Sequence, residues 1–201
     1  MFSGIVEEMG VVKKIEKRSS FWTIIIEAKN TASLLHVGSS VAVNGVCLTV
    51  VKKSGYRLFV NAVRPTLEIT NLKTARSGAK VNLERALGVD KNLEGHFVLG
   101  HIDCQVKIVS LVKQGDYYQL ELECPSVYSE LVIDKGSVAL DGVSLTVAEA
   151  GKKSFWVNII PFTFSHTIWQ YRKRGDLVNA EFDYLAKITV QYLKRLRDKG
   201  S

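Results

Sequence analysis

The sequence predicts a mainly β protein in which two homologous antiparallel β-barrels, produced by an internal duplication, precede a C-terminal α-helix. Three observations predict this fold: one segment occurs twice, short β-branched runs alternate with turn residues, and a helical pattern ends the chain. A chain of 201 residues has room for two small domains, because domains commonly contain about 50 to 200 residues.

The repeat is the strongest of these observations. The letters VNGVCLTV at residues 43–50 return as LDGVSLTV at residues 140–147. With the spacing changed by one, Gly4 also matches Gly100. We therefore predict an N-terminal barrel at residues 1–96, a C-terminal barrel at residues 97–185 and a terminal helix at residues 186–201. Further identities at the spacing of 97 positions pair Val60, Asn61, Thr66 and Glu84 with Val157, Asn158, Thr163 and Glu181.

Short runs rich in β-branched residues predict the strands of each copy. Closing many short strands into a barrel removes exposed sheet edges, which is why the pattern favours barrels. Brief helices are predicted around residues 33–35 and 125–131, and again after Thr66 and Thr163. The predicted strands include residues 22–27, 41–43, 46–50, 56–60 and 154–157.

The end of the chain reads as an amphipathic helix. Leu185, Ile188, Tyr192 and Leu196 recur at helical spacing, with polar residues on the other faces. A helix of this length is marginal alone in water, so it must pack on another surface. The pattern fits a contact between subunits and equally fits packing on the barrels of the same chain.

Composition excludes several classes of protein. The formal net charge of +7 is spread in lysine pairs at residues 13–14, 52–53 and 152–153, which favours a solvated surface over a nucleic-acid site. No apolar run approaches the roughly 18 residues of a membrane span, and the start lacks a signal-peptide pattern, so we expect a cytoplasmic location. The cysteine and histidine spacings do not match those of a metal site. The sequence also lacks the glycine-rich motifs of phosphate-binding loops, so we expect no nucleotide cofactor.

The two copies differ at residues that can do chemistry. Asn44 becomes Asp141 and Cys47 becomes Ser144, while the apolar frame is retained. Asn-Gly and Asp-Gly are ordinary hairpin turns. A thiol and a hydroxyl at matching strand positions are nucleophiles or proton carriers, or else small residues packed inside a barrel.

Two histidines lie in the segment GHFVLGHID at residues 95–103, where the copies join. His96 and His101 each follow a glycine. Imidazole exchanges its proton near neutral pH, as general acid–base catalysis requires. The alternative interpretation is that both histidines are structural and form hydrogen bonds at the domain junction.

These motifs together resemble the riboflavin synthase family, of the alpha type, over essentially the whole chain. The resemblance implies two six-stranded Greek-key barrels and a homotrimer whose C-terminal helices pack together. It also implies an enzyme without an external cofactor, with its productive site between the N-terminal barrel of one subunit and the C-terminal barrel of a neighbour. The motifs that carry it are MFSGIV at 1–6, SVAVNGVCLTV at 40–50, NLERA at 82–86, GHFVLGHID at 95–103, KGSVALDGVSLTV at 135–147, Ile160-Pro161 and residues 179–183.

The family's reaction accounts for the duplication. Two molecules of 6,7-dimethyl-8-ribityllumazine react, and one gives a four-carbon unit to the other. The products are riboflavin and 5-amino-6-ribitylamino-pyrimidinedione, in the last step of riboflavin biosynthesis. One donor and one acceptor call for two related sites that differ in their reactive groups.

Carried over position by position, the resemblance implies both catalytic and substrate-binding residues, and no metal ligand. The catalytic set is Ser40, Cys47, His101, Asp141, Ser144 and Asp183. The substrate-binding set is Phe2, Ser3, Gly4, Val6, Thr49, Thr66, His96, Lys135, Thr146, Ile160, Pro161, Phe162 and Thr163.

The chain departs from the family at two equivalent places. Pro65 stands where the family usually has Glu, and Phe162 stands where it usually has His or Glu. Both changes remove a polar side chain from the expected ligand rim, which puts recognition of the ribityl chain by these side chains in doubt.

One alternative is a non-catalytic relative that resembles the lumazine-binding fluorescence proteins. Those proteins tend to lose the paired Gly-His motif and the reactive N-terminal residues, whereas His96, His101, Cys47 and Ser144 are all present here. Some relatives associate with a lumazine synthase shell, and the sequence leaves open whether this chain does.

Overall fold

The computed structural model describes residues 1–89 and 91–199 and confirms two closed six-stranded antiparallel barrels. The N-terminal barrel closes in the order β1-β2-β5-β4-β3-β6, and the C-terminal barrel repeats it as β7-β8-β11-β10-β9-β12. Strands that are not consecutive therefore pair, as in a Greek-key barrel. The strands are β1 Glu8–Lys17, β2 Phe21–Glu27, β3 Ser40–Val43, β4 Val46–Ser54, β5 Arg57–Val63, β6 Lys80–Arg85, β7 Cys104–Gln114, β8 Tyr117–Glu123, β9 Ser137–Leu140, β10 Val143–Ala150, β11 Ser154–Ile159 and β12 Leu177–Phe182.

Short helices bridge the strands at matching places in both barrels. Pro65 and Pro161 occupy first-turn positions, where a missing N–H costs nothing, so both helices begin before Thr66 and Thr163 rather than after them. The predicted helix around 125–131 is a 3-10 helix. The α-helices are α1 Lys29–Leu34, α2 Arg64–Ile69, α3 Pro161–His166 and α4 Tyr184–Lys199, and the 3-10 helices are Asn71–Thr74, Ser126–Leu131 and Ile168–Tyr171.

Each barrel has its own apolar core, because alternate strand residues point inward. Leu72 and its counterpart Trp169 are fully buried in the two cores, each from the 3-10 helix that precedes the last strand. Core residues of the N-terminal barrel include Ile24, Ile26, Leu58 and Val60, and those of the C-terminal barrel include Leu120, Leu122, Phe155 and Val157.

The terminal helix α4 begins at Tyr184 rather than at residue 186. Asp183 caps it, since its Oδ1 accepts a 2.7 Å hydrogen bond from the Leu185 N–H. Ion pairs from Lys187 to Asp103 and from Lys194 to Glu130 hold one side of α4 against the C-terminal barrel. The predicted apolar positions Leu185, Ile188, Tyr192 and Leu196 remain exposed. No helix in the described ranges is long and apolar enough to cross a membrane.

The barrels meet through the two glycine turns. Asn44, Gly45, Asp141 and Gly142 have φ values of 48°, 79°, 46° and 78°, as a type I′ hairpin requires. A Cβ atom added to Gly142 would lie 2.7 Å from the Gly45 nitrogen, so the two backbones touch directly. Glycine is needed here for close approach as well as for its dihedral angles.

We predict that Gly142→Ala separates the barrels and lowers the free energy of unfolding by about 1–3 kcal/mol more than a matched control. The control is Gly115→Ala, because Gly115 also has a positive φ but has open space around its Cβ position. Denaturant unfolding of both variants measures the difference. Equal losses of stability would show that the turn contact contributes nothing beyond backbone strain.

Candidate functional site

The segments that lead into the two barrels pair with each other. Phe2 N–H donates to the Val98 carbonyl at 2.7 Å and Val98 N–H donates to the Phe2 carbonyl at 3.2 Å. Two residues further along each segment, the Gly4 carbonyl accepts from the Ser144 N–H at 2.7 Å and the Gly100 carbonyl accepts from the Cys47 N–H at 2.9 Å. Each segment therefore contacts the reactive strand of the opposite barrel.

Two buried glutamates fix these segments. Glu84 accepts from Ser3 N–H at 2.7 Å, from the Ser3 hydroxyl at 2.9 Å and from Gly4 N–H at 3.1 Å. Glu181 accepts from Leu99 N–H at 2.7 Å and from Gly100 N–H at 2.9 Å. Burial raises the pKa of both carboxyls, and these backbone donors oppose the rise. Sequence reasoning assigned them no role, although their identity at the repeat spacing was a signal.

Ser144 on β10 has a histidine partner. His96 Nδ1 lies 2.7 Å from Ser144 Oγ, and the other ring nitrogen, Nε2, is buried without a hydrogen-bond partner among the described residues. Burial lowers the pKa of His96, and the negative charge of Asp183 opposes that shift. Three predicted site residues, His96, Ser144 and Asp183, are thus brought together at one edge of the C-terminal barrel.

Cys47 on β4 has different surroundings. It is half-buried and packs on the small cluster formed by Phe2, Val98, Ala42 and Ala139. His101, which follows Gly100, is exposed and forms no hydrogen bond or ion pair within the described ranges. A single chain therefore does not join His101 to Cys47, and their catalytic roles stay predictions.

The remaining predicted residues line the outer faces and rims of the barrels. Ser40 pairs with Thr49 across β3 and β4, and Thr146 holds the position on β10 equivalent to Thr49. Thr49 and Thr146 are exposed, Thr66 and Thr163 are half-buried on α2 and α3, and Val6 packs on the C-terminal core. The roles of all these residues in binding stay predictions.

Lys135 adopts a backbone conformation that is unusual for a residue with a side chain. Its φ is +64°, where the first copy has Gly38 at φ +92°. Its Nζ lies 3.4 Å from the Ala148 carbonyl, and the side chain is exposed. A non-glycine residue held in this region costs free energy, which is a common feature of functional positions.

The rim of the C-terminal barrel is aromatic around Phe162, where the resemblance implies a polar side chain. Phe162 is 67% exposed and stacks on His166 with ring centroids 4.0 Å apart. Phe164, two residues later, stacks on Tyr118 at 3.6 Å. Ile160 and Pro161 beside them are also exposed. An aromatic face replaces the expected polar side chain, while the backbone carbonyls remain.

Asp141 belongs to the junction between the barrels. It is fully buried, and its Oδ1 accepts from the Asn71 amide at 2.6 Å and from Asn179 N–H at 3.0 Å. Its Oδ2 accepts from Arg172 at 3.0 and 2.5 Å. These contacts give Asp141 a structural role at the junction, and its catalytic role stays a prediction. The first copy has Asn44 at this position and Ala75 in place of Arg172. The acidic residue therefore occurs only in the copy that also has the arginine to pair with it.

We predict that Arg172→Ala destabilises the protein by about 3–5 kcal/mol, because it leaves the buried Asp141 carboxylate unpaired. The double variant Asp141→Asn with Arg172→Ala should recover most of this loss, since it copies the Asn44 and Ala75 pairing. Denaturant unfolding of the three proteins tests this, and a double variant as unstable as the single one would contradict it.

The same variant should show a pH dependence with a defined sign. Burial holds the pKa of Asp141 above its ordinary value even beside Arg172. Without Arg172 the folded state binds the proton more tightly than the unfolded chain, so the stability of Arg172→Ala should fall as pH rises above about 3.9.

Comparisons with known proteins agree with this geometry. The family model described as the lumazine binding domain matches residues 3–86 and 99–183, one match in each barrel. A riboflavin synthase from Bacillus amyloliquefaciens is 38% identical over 203 residues, covering 100% of this chain and 94% of that protein. One from Schizosaccharomyces pombe is 36% identical, covering 94% of this chain and 92% of that protein.

Solved structures show the same fold. LumP complexed with riboflavin superposes with a TM-score of 0.84 at 24% identity, covering 90% of this chain and 99% of that chain. LumP complexed with 6,7-dimethyl-8-(1'-D-ribityl) lumazine gives a TM-score of 0.82 at 24% identity, with the same coverage. With matches over its full length and one lumazine binding domain in each barrel, the chain belongs to the riboflavin synthase family.

Proposed function

We propose that this chain is a riboflavin synthase that dismutates two molecules of 6,7-dimethyl-8-ribityllumazine. One observation carries the proposal: two barrels of one fold present different reactive atoms, the Cys47 thiol and the Ser144 hydroxyl, at equivalent positions on β4 and β10. The backbone N–H of each residue donates to a glycine carbonyl, that of Gly100 for Cys47 and that of Gly4 for Ser144, in the segment that leads into the opposite barrel. Two like sites with unlike reactive groups suit a reaction in which identical molecules act as donor and acceptor.

The reaction requires the protein to orient the two lumazine rings and to transfer protons. The C7 methyl group of the lumazine is an acidic carbon acid, because its anion is delocalised into the ring. A modest base is then sufficient, and holding two rings face to face supplies much of the rate enhancement. Ser144 with His96 can move a proton at one ring, and Ser40, Cys47 and His101 are available at the other.

We further propose a cytoplasmic homotrimer in which neighbouring subunits share each productive site. The exposed apolar side of α4, with Leu185, Ile188, Tyr192 and Leu196 between 47% and 61% exposed, supports a contact between copies. The exposed His101, which lacks a partner within the described ranges, would complete its surroundings at such a contact. Association with a lumazine synthase shell stays a prediction, testable by co-sedimentation of the two proteins.

We predict that the purified protein converts 6,7-dimethyl-8-ribityllumazine alone into equal amounts of riboflavin and 5-amino-6-ribitylamino-pyrimidinedione. Ser144→Ala should lower the rate by at least about 100-fold, the usual size of a proton-transfer contribution. Ser19→Ala, an exposed serine in the β1–β2 turn, should leave it unchanged. Absorbance and product chromatography measure both. Tight binding without turnover would place the protein with the non-catalytic relatives, and absence of binding would contradict both functions.

A complementation experiment tests the shared site. Thr49 and Thr146 are exposed at equivalent positions of β4 and β10, so Thr49→Arg and Thr146→Arg should each block one barrel without disturbing the core. Each variant alone should be inactive. Among all trimers assembled at random from equal amounts of the two co-expressed variants, an intact N-terminal barrel meets an intact C-terminal barrel at about one quarter of the contacts, which restores that share of activity. Failure of mixed trimers to regain activity would mean that each chain uses its own two barrels.

A further inference from the structure

A small basic cavity opens between the β1–β2 turn, α2 and the 3-10 helix Asn71–Thr74 of the N-terminal barrel. It measures about 230 Å³, and its lining includes Arg18, Arg64 and Lys73. Among the described residues, Glu68 is the one acid in this lining. Pockets that enclose drug-sized ligands measure roughly 300–1,000 Å³, so the cavity is of a size for a compact anion.

The three cations keep hydrogen-bond donors that a ligand can use. Arg64 Nε donates to Glu68 Oε1 at 3.0 Å, which leaves the two terminal nitrogens of this guanidinium for another acceptor. Arg18 and Lys73 form no ion pair with any residue in the ranges 1–89 and 91–199. Guanidinium and ammonium groups are the donors with which proteins commonly bind phosphate.

Backbone and ring contacts hold these donors in place. Arg64 N–H donates to the Ser20 carbonyl at 3.2 Å, which ties the start of α2 to the β1–β2 turn. The central carbon of the Arg18 guanidinium lies 5.4 Å from the centroid of the Phe21 ring, and the Arg18 backbone N–H donates to the Phe21 carbonyl at 3.0 Å. Stacking on a ring orients a guanidinium and leaves the N–H groups at its edge for an anion.

The second barrel has the same fold but lacks these charges. Its equivalent positions follow from the strand pairs of Lys17 with Trp22 and of Lys113 with Tyr118, and from the repeat spacing of 97 positions. The corresponding residues are Gln114 for Arg18, Pro161 for Arg64 and Gln170 for Lys73. Because a barrel of this fold forms without the three cations, the fold does not account for them.

The apolar floor of the cavity also distinguishes the two copies. Trp22 and Leu67 line the cavity in the first copy. The corresponding residues of the second copy, Tyr118 and Phe164, stack on each other with ring centroids 3.6 Å apart. Walls of low dielectric constant strengthen the attraction of a charged cleft for ions of opposite sign. The first copy therefore combines an apolar floor with a rim of unpaired cations.

We propose that this cavity is a binding site for a compact phosphate-bearing anion, held by Arg18, Arg64 and Lys73. Inorganic phosphates and short phosphorylated carbon chains share this chemistry. The lumazine of the proposed reaction carries no phosphate group, so the ligand is a second molecule and the inference does not rest on the proposed function. The bound anion joins the β1–β2 turn, α2 and the following 3-10 helix.

The test uses variants that copy the second barrel. Arg18→Gln and Lys73→Gln reproduce Gln114 and Gln170, and both side chains are exposed, so the fold should be retained. The matched control is Arg57→Gln, which removes the same charge from an exposed position at the end of β5 that is remote from α2. Isothermal titration calorimetry of the full-length proteins measures binding of inorganic pyrophosphate and of glycerol 3-phosphate, with the ionic strength held constant by chloride.

We expect one anion to bind per chain of the unmodified protein. Arg18→Gln and Lys73→Gln should each weaken binding by at least about tenfold, because each removes a charge-assisted hydrogen bond to the ligand. Arg57→Gln should leave the Kd unchanged. A lower Kd for pyrophosphate would identify the ligand as an inorganic phosphate, and a lower Kd for glycerol 3-phosphate would identify it as a phosphorylated carbon chain.

Three results would overturn this inference. The first is the absence of binding of both anions at millimolar concentration. The second is equal weakening by Arg57→Gln and Arg18→Gln, which would indicate a general effect of surface charge. The third is binding of a single-stranded oligonucleotide without binding of either compact anion, which would assign the cations to nucleic acid.

A fluorescence measurement decides the question if the glutamine variants fail to fold. Trp22 lines the cavity, so pyrophosphate should change the tryptophan emission of the unmodified protein, and Trp22→Phe should abolish that change. An unaltered change in the Trp22→Phe variant would place the anion elsewhere and contradict the inference. None of these outcomes depends on riboflavin formation, so the proposed function is tested separately.

Discussion

The backbone contact between the Asn44-Gly45 and Asp141-Gly142 turns determines how the rest of the molecule is arranged. With no side chain between them, the two hairpins approach so closely that a Cβ atom on Gly142 would lie 2.7 Å from the Gly45 nitrogen. Amides complete the junction reciprocally: Asn82 donates to the Asp141 carbonyl and Asn179 to the Asn44 carbonyl, each at 2.9 Å. The reactive strands β4 and β10 follow directly from these turns, so the same contact positions both sites.

The two barrels have nearly the same backbone contacts, but they carry different side chains at equivalent positions. Glu84 and Glu181 hold the crossing segments in the same way, and Gly4 and Gly100 contact Ser144 and Cys47 in the same way. The differences are confined to side chains that this scaffold carries. Because the two backbones are held in the same way, one copy can carry a different side chain at this position without moving its strand.

The fold could be predicted from the sequence because duplication and turn chemistry are local signals. The Asn-Gly and Asp-Gly dipeptides indicate type I′ turns, and all four φ values are positive as required. The helix α4 begins at Tyr184, next to the apolar series that starts at Leu185, and Asp183 caps it through the Leu185 N–H. Exposure of the apolar side of α4, which the pattern alone could not decide, follows from ion pairs that fix the opposite side.

The candidate site was less predictable, because its decisive contacts join segments that are distant in sequence. Two histidines after two glycines look alike in the sequence, yet His96 contacts Ser144, 48 positions away, while His101 faces solvent. Asp141 forms a buried ion pair with Arg172, which lies 31 positions further along the chain. No local spacing encodes either contact.

Asp183 connects the terminal helix α4 with the surroundings of His96. One carboxylate oxygen caps α4, the helix whose apolar side is exposed in the single chain, and the same charge acts on His96. A shift of α4 would move the cap and, with it, the charge that opposes the lowering of the His96 pKa. Because the effect of a charge depends steeply on distance in a partly buried site, the position of α4 influences the pKa of His96. An association of copies through the exposed apolar side of α4, as proposed above, would therefore take place beside the charge that acts on His96.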